Sequence, residues 1–358
     1  MYILSQESKR LLKDNNIDVN NINKKYLMMK YISFIFIVII MFLIFLVLRL
    51  FRKIKELSFQ KDIYEYFTNK GDLDLFLTNK TEYYYQGRKK YSRGYNELNL
   101  VTFQDKLKYL TIHESPEYKS KIVDKIKLSE YSKKILGKDI CVPILKIYNN
   151  ANEIKLDELP DKFVLKCNHG SGMNIFCKDK SKFDLEKSKK QWNEWLNINY
   201  GIGTAEFQYC FVKRKIFASP YLTDDIIDYK IFCFNGNPKF IVVKKTLSEE
   251  NHQYLYNYYD LNWTLTDLEF GSNKYRRDPN IIIEKPKNLD LMIDYSRKLS
   301  NEFAFVRVDF YDINNRIYLG ELTFTPSNAG IFMKNDEQRI YLGSLINLKK
   351  IKPSLFNK

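Results

Sequence analysis

The feature that most constrains the fold is an uncharged, strongly apolar run from Tyr31 to Leu48, filled almost entirely by Ile, Phe, Val, Leu and Met. At about 1.5 Å per residue, a helix over this run nearly crosses a hydrocarbon core of roughly 30 Å, and Leu50 and Phe51 can extend it. We therefore predict one transmembrane helix over residues 31–51, preceded by a polar N-terminal tail over residues 1–30.

A cleaved signal peptide is the alternative interpretation of this run. A signal peptide normally has a shorter apolar region followed by small residues at a cleavage site. Here the run is followed by the basic residues Arg49, Arg52, Lys53 and Lys55. Because these outweigh the basic residues on the other flank, the positive-inside bias favours a single-pass protein whose C-terminal part is cytoplasmic.

The composition of the chain indicates its class of partner. The 358 residues, of which 45% are hydrophobic, are enough for two domains or one large two-lobed domain. The formal net charge of +15 suits anionic partners such as a nucleotide, a nucleic acid or an anionic membrane face. No compact stripe of Lys and Arg with stacking aromatic residues is visible, so we predict no nucleic-acid partner.

The cysteines and histidines limit which kinds of metal or catalytic site the chain can form. The five cysteines include no Cys-x-x-Cys pair, which argues against a disulfide framework or a zinc site and favours a reducing compartment. The three histidines are scattered, and no Ser-His-Asp or Cys-His pattern can be built from them. Catalysis, if present, must use other groups.

The sequence after the membrane run is helical first and mixed afterwards. Apolar residues from Ile54 to Phe67 lie at helical spacing and predict a juxtamembrane helix. A second helical, charge-rich pattern runs from Thr102 to Gly137. Strand signals begin near Ile140 and dominate the rest of the chain.

A strand, a small polar turn and a second strand follow one another between Phe163 and Phe176. The turn contains two glycines, which let the backbone approach a ligand and expose N–H groups that can cradle phosphate oxygens. Lys166 stands on the strand just before the turn, unlike the P-loop, in which the lysine follows the glycines. By itself this is either a phosphate-binding turn or an ordinary one, and His169 is either a structural or a catalytic residue.

Two further pairs of strands are predicted. Asp228–Phe234 and Pro238–Val243 flank Asn235-Gly236, a strong hairpin signal, and place Lys230 on the face of Asp228. Nearer the C-terminus, two alternating arms rich in Val, Phe, Tyr, Leu and Thr flank Asn314-Asn315. The first arm of this second hairpin carries Arg307 and Asp309 on one face.

The register of the second hairpin decides what its acids can do. A plain two-residue turn puts Asp309 opposite Gly320 and sends Glu321 to the other face, which leaves two solvated acids. A turn of odd length, or a bulge, sets Asp309 opposite Glu321. Two carboxylates roughly 5 Å apart then repel unless a cation lies between them, which is the outline of a Mg²⁺ site.

The order of these pieces resembles the ATP-grasp fold, in which ATP lies between two α+β lobes. Longer stretches resemble the TupA-like ATP-grasp family, which is named for a teichuronopeptide-biosynthesis protein and is associated with bacterial surface polysaccharides. The resemblance runs from about Tyr95 to Leu348 and leaves the membrane run outside it. The matching stretches are "LPDKFVLKCNHGSG", "DYKIFCFNGNPKFI", "NHQYLYNYYDLNW", "KPKNLDLMIDYSRKLS" and "FVRVDFYDINNRIYLGELTFTP".

The resemblance implies an α+β, ATP-grasp fold preceded by a helical segment and the transmembrane helix. The implied parts are a juxtamembrane helix and linker over residues 52–94, a helical pre-ATP-grasp region over 95–155, a first lobe over 156–223, and a second lobe with the metal-binding hairpin over 224–350.

The resemblance also assigns roles to single residues. Lys166 would hold the α- and β-phosphates of ATP, and Lys230 would make a second phosphate or intermediate contact. Arg307 would face the transferring γ-phosphoryl group, where a guanidinium stabilises spread negative charge. The remaining implied cofactor contacts are Asn168, His169, Gly170, Ser171, Gly172, Tyr221 and Leu222, and the implied Mg²⁺ ligands are Asp309, Glu321 and Thr323.

The implied function is a carboxylate–amine ligase that uses ATP and Mg²⁺ and is anchored in the bacterial cytoplasmic membrane through residues 31–51. Its substrates would be a glycan or lipid-linked glycan precursor and an amine or amino acid, joined through an acyl-phosphate. Two alternatives stay open: a glycosyltransferase of a polysaccharide cluster, and a non-catalytic, membrane-tethered nucleotide-binding scaffold. The scaffold is suggested by Ser219 and Pro220, which stand where family members have two glutamates.

Overall fold

The computed structural model describes residues 28–50, 100–204, 206–248, 253–270, 275–327 and 333–350, together with the single residues Arg10, Asp14, Lys24 and Ala329. The chain divides into two units, Met1–Gly71 and Asp72–Lys358. The predicted juxtamembrane helix and most of the predicted N-terminal tail lie outside the described residues.

The first unit contains one long apolar helix, α1 (Met28–Leu50). Its apolar side chains are exposed. By length and composition it can cross a membrane, as the charge-free run predicts.

The second unit combines helices with two antiparallel sheets. Its α-helices are α2 (Phe103–His113), α3 (Pro116–Val123), α4 (Leu128–Leu136), α5 (Leu185–Asn197), α6 (Tyr200–Thr204), α7 (Leu289–Ser300) and α8 (Asp336–Ser344). Its strands are β1 (Lys146–Tyr148), β2 (Phe163–Cys167), β3 (Asn174–Cys177), β4 (Ile216–Pro220), β5 (Ile227–Phe234), β6 (Asn237–Ser248), β7 (Gln253–Tyr259), β8 (Tyr275–Arg276), β9 (Phe305–Ile313) and β10 (Arg316–Thr323). Short 3₁₀ segments lie at Ala151–Glu153, Leu156–Glu158, Lys180–Lys182, Phe207–Phe211 and Leu348–Lys350.

The helical pattern from Thr102 to Gly137 forms three helices. Thr102 begins α2 with a capping box to Asp105. Ser115 caps α3, whose first residue is Pro116, and so starts a new helix directly after α2. Gly137 ends α4 in the left-handed conformation, with φ of 73°.

The first sheet has the strand order β1-β4-β2-β3, and β2 pairs antiparallel with both β3 and β4. Helix α5 packs on β2, and its Trp192 is buried in one apolar cluster with Phe163, Leu165 and Ile216. Strand β1 lies within the segment predicted as the helical pre-ATP-grasp region, so the sheet begins before residue 156.

The second sheet has the order β10-β9-β5-β6-β7-β8 and is antiparallel except for the β7–β8 pair. One face is apolar and packs on α7, which contacts β5, β6 and β9. The opposite face is divided along its length. One end is aromatic and packs on α2, where Phe103 lies 5.0 Å from Phe305 between ring centres. The other end carries charged side chains of β5, β6, β9 and β10.

Both predicted hairpin turns have two residues. Asn235 and Gly236 have φ of 47° and 78°, and Asn314 and Asn315 have φ of 52° and 60°. Two consecutive left-handed residues are typical of the type I′ turn, whose twist matches that of paired strands. The turn of odd length, one of the two ways to oppose Asp309 and Glu321, is therefore not used.

Candidate active site

A bulge in β10 brings the two hairpin acids together. Leu319 pairs with Phe310, and Glu321 pairs with Asp309, so Gly320 is the extra residue. The space at this position is small, since a Cβ on Gly320 would lie 3.0 Å from the ring of Tyr311. The bulge thus keeps Glu321 on the face of Asp309 despite the two-residue turn.

Asp309 is the centre of the charged cluster. Only 1% of this residue is exposed. Arg307 donates from Nε to Oδ1 and from Nη2 to Oδ2, both at 2.6 Å, in a bidentate pair. Lys230 on the neighbouring strand β5 donates to Oδ2 at 2.7 Å. Two cations therefore share one buried carboxylate.

Glu321 and Thr323 complete the hairpin side of the cluster. Nη2 of Arg307 donates to Oε1 of Glu321 at 3.2 Å and to Oγ1 of Thr323 at 3.0 Å. The hydroxyl of Thr323 donates to the same Glu321 oxygen at 3.1 Å. Unlike Asp309, the Glu321 side chain is 27% exposed and can reach a ligand.

The opposite charges in the cluster stabilise the ionised forms of one another. Burial alone would raise the pKa of Asp309, but Arg307 and Lys230 outweigh it and hold this pKa below its usual value. Burial would lower the pKa of Lys230, but Asp228 and Asp309 raise it overall. Burial opposes the charge of Arg307 too, and Asp309 and Glu321 raise its pKa in return. All three side chains are thus charged at neutral pH.

The cluster opens into a cavity of about 340 Å³. Its wall combines cationic side chains, aromatic rings and two carboxylates. The residues lining it are Ser171, Tyr200, Glu206, Tyr209, Lys230, Phe232, Val242, Lys244, Tyr256, Phe270, Arg307, Glu321, Thr323, Thr325, Pro326 and Ser327.

Lys166 lies near this cavity on β2 of the first sheet. Burial, together with the nearby Lys125, lowers the pKa of Lys166 to about 8, while Glu321 and Asp228 oppose the shift. Lys166 is not among the residues lining the cavity, but its desolvated ammonium group is close enough to feel the charge of Glu321 in the cavity wall, and such a group is well suited to an anionic ligand.

The glycine turn reaches the cavity through Ser171. Gly172 has φ of 77°, a conformation that glycine adopts without strain. A Cβ on Gly170 would lie 2.8 Å from the ring of Tyr200, so the turn packs closely there. Lys125, in the loop after α3, donates to the Gly170 carbonyl at 2.6 Å and lies 3.9 Å from Glu321. Lys125 therefore connects the turn to the hairpin.

Two residues of the predicted phosphate turn have structural partners. The Asn168 side chain donates to Asp124 at 2.9 Å and to the Lys213 carbonyl at 3.0 Å, and accepts from the Lys215 N–H at 2.8 Å. His169 is buried, and its Nε2 lies 3.1 Å from the Trp195 carbonyl. Burial lowers the pKa of His169 to about 4, so it is neutral at pH 7. Nucleotide contact by these two residues stays a prediction.

The predicted contacts Tyr221 and Leu222 follow β4 and are absent from the lining of the cavity. The Tyr221 hydroxyl donates to Asp224 at 2.6 Å, and its ring packs edge-on against Phe176. Ser219 is buried in β4, and its hydroxyl donates to the Val164 carbonyl of β2 at 3.5 Å. The roles of Tyr221 and Leu222 stay predictions.

The turn at the end of β7 is closely packed. Tyr259 and Trp263 stack with ring centres 4.3 Å apart. Asp260 accepts hydrogen bonds from the N–H groups of Asn262 and Thr264. His252 lies outside the described residues.

A buried acid in the cavity wall was not predicted. Glu206 accepts a hydrogen bond from Thr325 at 2.7 Å, and Gln208 donates to the same hydroxyl at 3.1 Å. Burial raises the pKa of Glu206 to about 7, although hydrogen bonds from Thr325 and Thr204 favour its charged form. Lys125 and Lys244 were missed as well. Of the three, only Lys244 had a sequence signal, since it alternates onto the face of Lys230 along the paired strand.

The hairpin can be tested for its fit to a metal ion. Across the described parts of the chain, no group of three or more His, Cys, Asp or Glu side chains is arranged to hold one. Asp309, Glu321 and Thr323 nevertheless supply oxygen donors on adjacent strands, the ligand type that Mg²⁺ prefers, and Mg²⁺ usually completes its shell with phosphate and water. The donor set therefore fits Mg²⁺ bound together with a phosphate ligand, provided that Arg307 or Lys230 moves off Asp309.

Several known proteins are similar to this chain. The family model described as TupA-like ATPgrasp matches residues 105–347. No curated protein matches the sequence. Similar solved structures include the D-alanine–D-alanine ligase of Helicobacter pylori, at 15% identity over 63% of this chain and 61% of that one, with a TM-score of 0.35. The same enzyme from Bacillus anthracis, complexed with ATP, is 16% identical over 62% of each chain, with a TM-score of 0.38. Biotin carboxylase from Campylobacter jejuni is 10% identical over 68% of this chain and 50% of that one, with a TM-score of 0.38.

The solved structures and the family model differ in how much of each protein the match covers. The chain spans 61% and 62% of the length of the two ligases. The family model, in contrast, matches most of this chain, including both sheets and the hairpin with the charged cluster. The protein belongs to the TupA-like ATP-grasp family and has its α+β, ATP-grasp fold.

Proposed function

We propose that this protein is an ATP- and Mg²⁺-dependent carboxylate–amine ligase that works at the membrane on a cell-envelope glycan or its precursor. The observation that carries the proposal is the cluster of Arg307, Lys230, Asp309 and Glu321 on one sheet face, open to a cavity near Lys166. Such a concentration of partly buried cations suits a transferring phosphoryl group, whose charge is spread over several oxygens.

Each part of the cluster has a role in this proposal. Lys166 and the N–H groups of the turn from Gly170 to Gly172 hold the phosphates of ATP. Arg307 and Lys230 face the γ-phosphoryl group and neutralise its charge, and Asp309 holds both cations beside the cavity until the phosphates bind.

Asp309, Glu321 and Thr323 would hold Mg²⁺. When bound, Mg²⁺ supplies charge neutralisation between the phosphates and fixes their geometry. Incoming phosphates offer Arg307 and Lys230 new partners, which frees Asp309 oxygens for the metal.

The proposed reaction has two steps. A substrate carboxylate oxygen forms a bond to the γ-phosphorus of ATP, and the bond to ADP breaks with its electron pair leaving on ADP. An amine then attacks the acyl carbon, the bond to phosphate breaks, and an amide and inorganic phosphate result. This sequence asks the protein mainly for positioning and charge neutralisation, which the cluster provides.

Two observations support the proposed glycan substrate and membrane location. The family is associated with surface polysaccharides, and α1 is long and apolar enough to cross a membrane. A membrane anchor suits a lipid-linked or membrane-proximal substrate, and the nucleotide requirement favours a cytoplasmic catalytic part.

A thermal-shift titration of the full chain in detergent tests the proposal. The ligands are ATP and UDP-glucose, each with and without Mg²⁺. We expect stabilisation by ATP that increases with Mg²⁺, and none by UDP-glucose. Stabilisation by UDP-glucose would favour a glycosyltransferase. Stabilisation by ATP that is equal with and without Mg²⁺ would favour a non-catalytic scaffold.

A further inference from the structure

The cavity contains a lysine that the proposed phosphate contacts do not use. Lys244 lies on β6, and its Cα partners are Asp228 on β5 and Tyr256 on β7. It lines the cavity, and 28% of its side chain is exposed. Its ammonium group lies 4.5 Å from the ring centre of Tyr254, a cation–π contact that holds it at the cavity edge.

Lys244 is only loosely paired with an acid. Its Nζ lies 3.7 Å from Oδ2 of Asp228, beyond the range of a strong hydrogen bond. The same Asp228 oxygen lies 3.7 Å from Nζ of Lys230. One carboxylate thus serves two ammonium groups, whereas Lys230 has a second, close partner in Asp309 at 2.7 Å. This leaves Lys244 short of negative charge.

The burial of Lys244 also indicates that its ammonium group lacks a full counter-charge. Burial lowers the pKa of Lys244, Lys230 adds to this effect, and Asp228 and Asp309 oppose it without cancelling it. A bound anion would restore the missing counter-charge.

We propose that Lys244 binds the carboxylate of the acid substrate, and that Tyr256 and Phe270 contact the carbon skeleton next to it. This inference rests on the proposed ligase function and adds the position of one substrate. Lys230 pairs with Val242 and Asp228 pairs with Lys244, so Lys244 is a diagonal neighbour of Lys230 on the next strand. Diagonal neighbours lie about 7–8 Å apart, which long side chains can span, so a carboxylate on Lys244 can approach a γ-phosphoryl group held by Lys230. The substrate class is a carboxylic acid with a ring or apolar chain beside the carboxylate.

The next residue in the chain provides a matched control. Lys245 has the same side chain on the same strand, but it alternates to the opposite face and its Nζ lies 3.4 Å from Asp225. Lys244→Met and Lys245→Met therefore remove the same charge from the two sides of one sheet.

Trifluoroacetate is a suitable carboxylate probe, with trifluoroethanol as its uncharged counterpart. The measurement is ¹⁹F NMR line broadening by the full chain in detergent, with and without Mg²⁺ and ADP. We expect trifluoroacetate to bind the wild type and the Lys245→Met variant equally, and the Lys244→Met variant about tenfold more weakly, as for the loss of one charged contact. Lys244→Arg should retain binding, and trifluoroethanol should show no difference between the proteins.

Equal broadening with Lys244→Met and wild type, or an equal loss with Lys245→Met, would overturn the inference. The proposed function fails separately: a wild type that does not bind ADP refutes the nucleotide site. The two lysine variants can still be compared without nucleotide in that case.

Discussion

The lowered pKa of Lys166 predicts how nucleotide affinity depends on pH. With a pKa of about 8, the side chain is mostly charged at pH 7 and mostly neutral above pH 9. Phosphate binds the ammonium form, so affinity is present below about pH 8 and is lost as pH rises through this value. Above the pKa, the apparent Kd for ATP should rise about tenfold per pH unit, because only the protonated fraction binds.

Isothermal titration calorimetry of the full chain between about pH 7 and about pH 9.5 checks this prediction. In buffers of different ionisation enthalpy, ATP binding above pH 8 should take up close to one proton. Lys166→Arg is the matched variant, since a guanidinium stays protonated over the whole range. Its Kd should vary much less with pH.

Two outcomes would refute this reasoning. A wild-type Kd that is flat across the range would show that Lys166 does not titrate or does not contact phosphate. An unchanged slope in Lys166→Arg would assign the titration to another group, such as Lys244, whose pKa is also lowered.

Two further predictions concern stability, both by urea unfolding. The pKa of Glu206 is raised to about 7 from an ordinary 4.5, so its contribution to the free energy of unfolding is fully present below about pH 4.5 and is lost as pH rises through 7. At pH 8.5 the Glu206→Gln variant should therefore be up to about 3 kcal/mol more stable than wild type, with little difference at pH 4.5. A stability difference that does not change with pH would contradict this. Asn168→Ala removes three hydrogen bonds of a buried side chain and should lower the free energy of unfolding by about 3 kcal/mol. Asn174→Ala, at an exposed position of β3, should lower it little. Equal losses in the two variants would show that Asn168 does not anchor the turn.

Strand and turn positions were predictable where local chemistry determines them. Asn235-Gly236 and Asn314-Asn315 form the predicted turns because both dipeptides accept left-handed backbone. The faces of Arg307, Asp309 and Lys230 follow from alternation alone. The three helices of the helical region were predicted as one pattern, since the caps at Thr102 and Ser115 have short sequence signals.

The remaining parts of the site depend on contacts between distant segments. The bulge at Gly320 requires knowing which residue of β10 faces Asp309, and the sequence left two registers open. Lys125 reaches Gly170 and Glu321 only because α3 packs beside β10, which no local pattern encodes. The burial of Glu206 follows from its contact with Thr325, more than a hundred residues later.

The polar turn shows how one segment can combine two roles. The family resemblance implies five nucleotide contacts in this turn, but Asn168 and His169 are buried and bonded to neighbouring segments, while Ser171 reaches the cavity. The first two residues of the turn fix its position, which leaves the glycine-containing part to approach a ligand.

We propose that the Asp309–Glu321 hairpin binds Mg²⁺ together with ATP. The most direct test of this proposal is calorimetric titration of ATP, with and without Mg²⁺, into wild type, Asp309→Asn and Asp312→Asn. Asp312 lies on the same strand but bonds to Asn288 instead of the cluster. We predict that Mg²⁺ strengthens ATP binding about tenfold or more in the wild type and in Asp312→Asn, and that Asp309→Asn loses this enhancement. An enhancement that survives in Asp309→Asn would contradict the assignment of the metal to this hairpin.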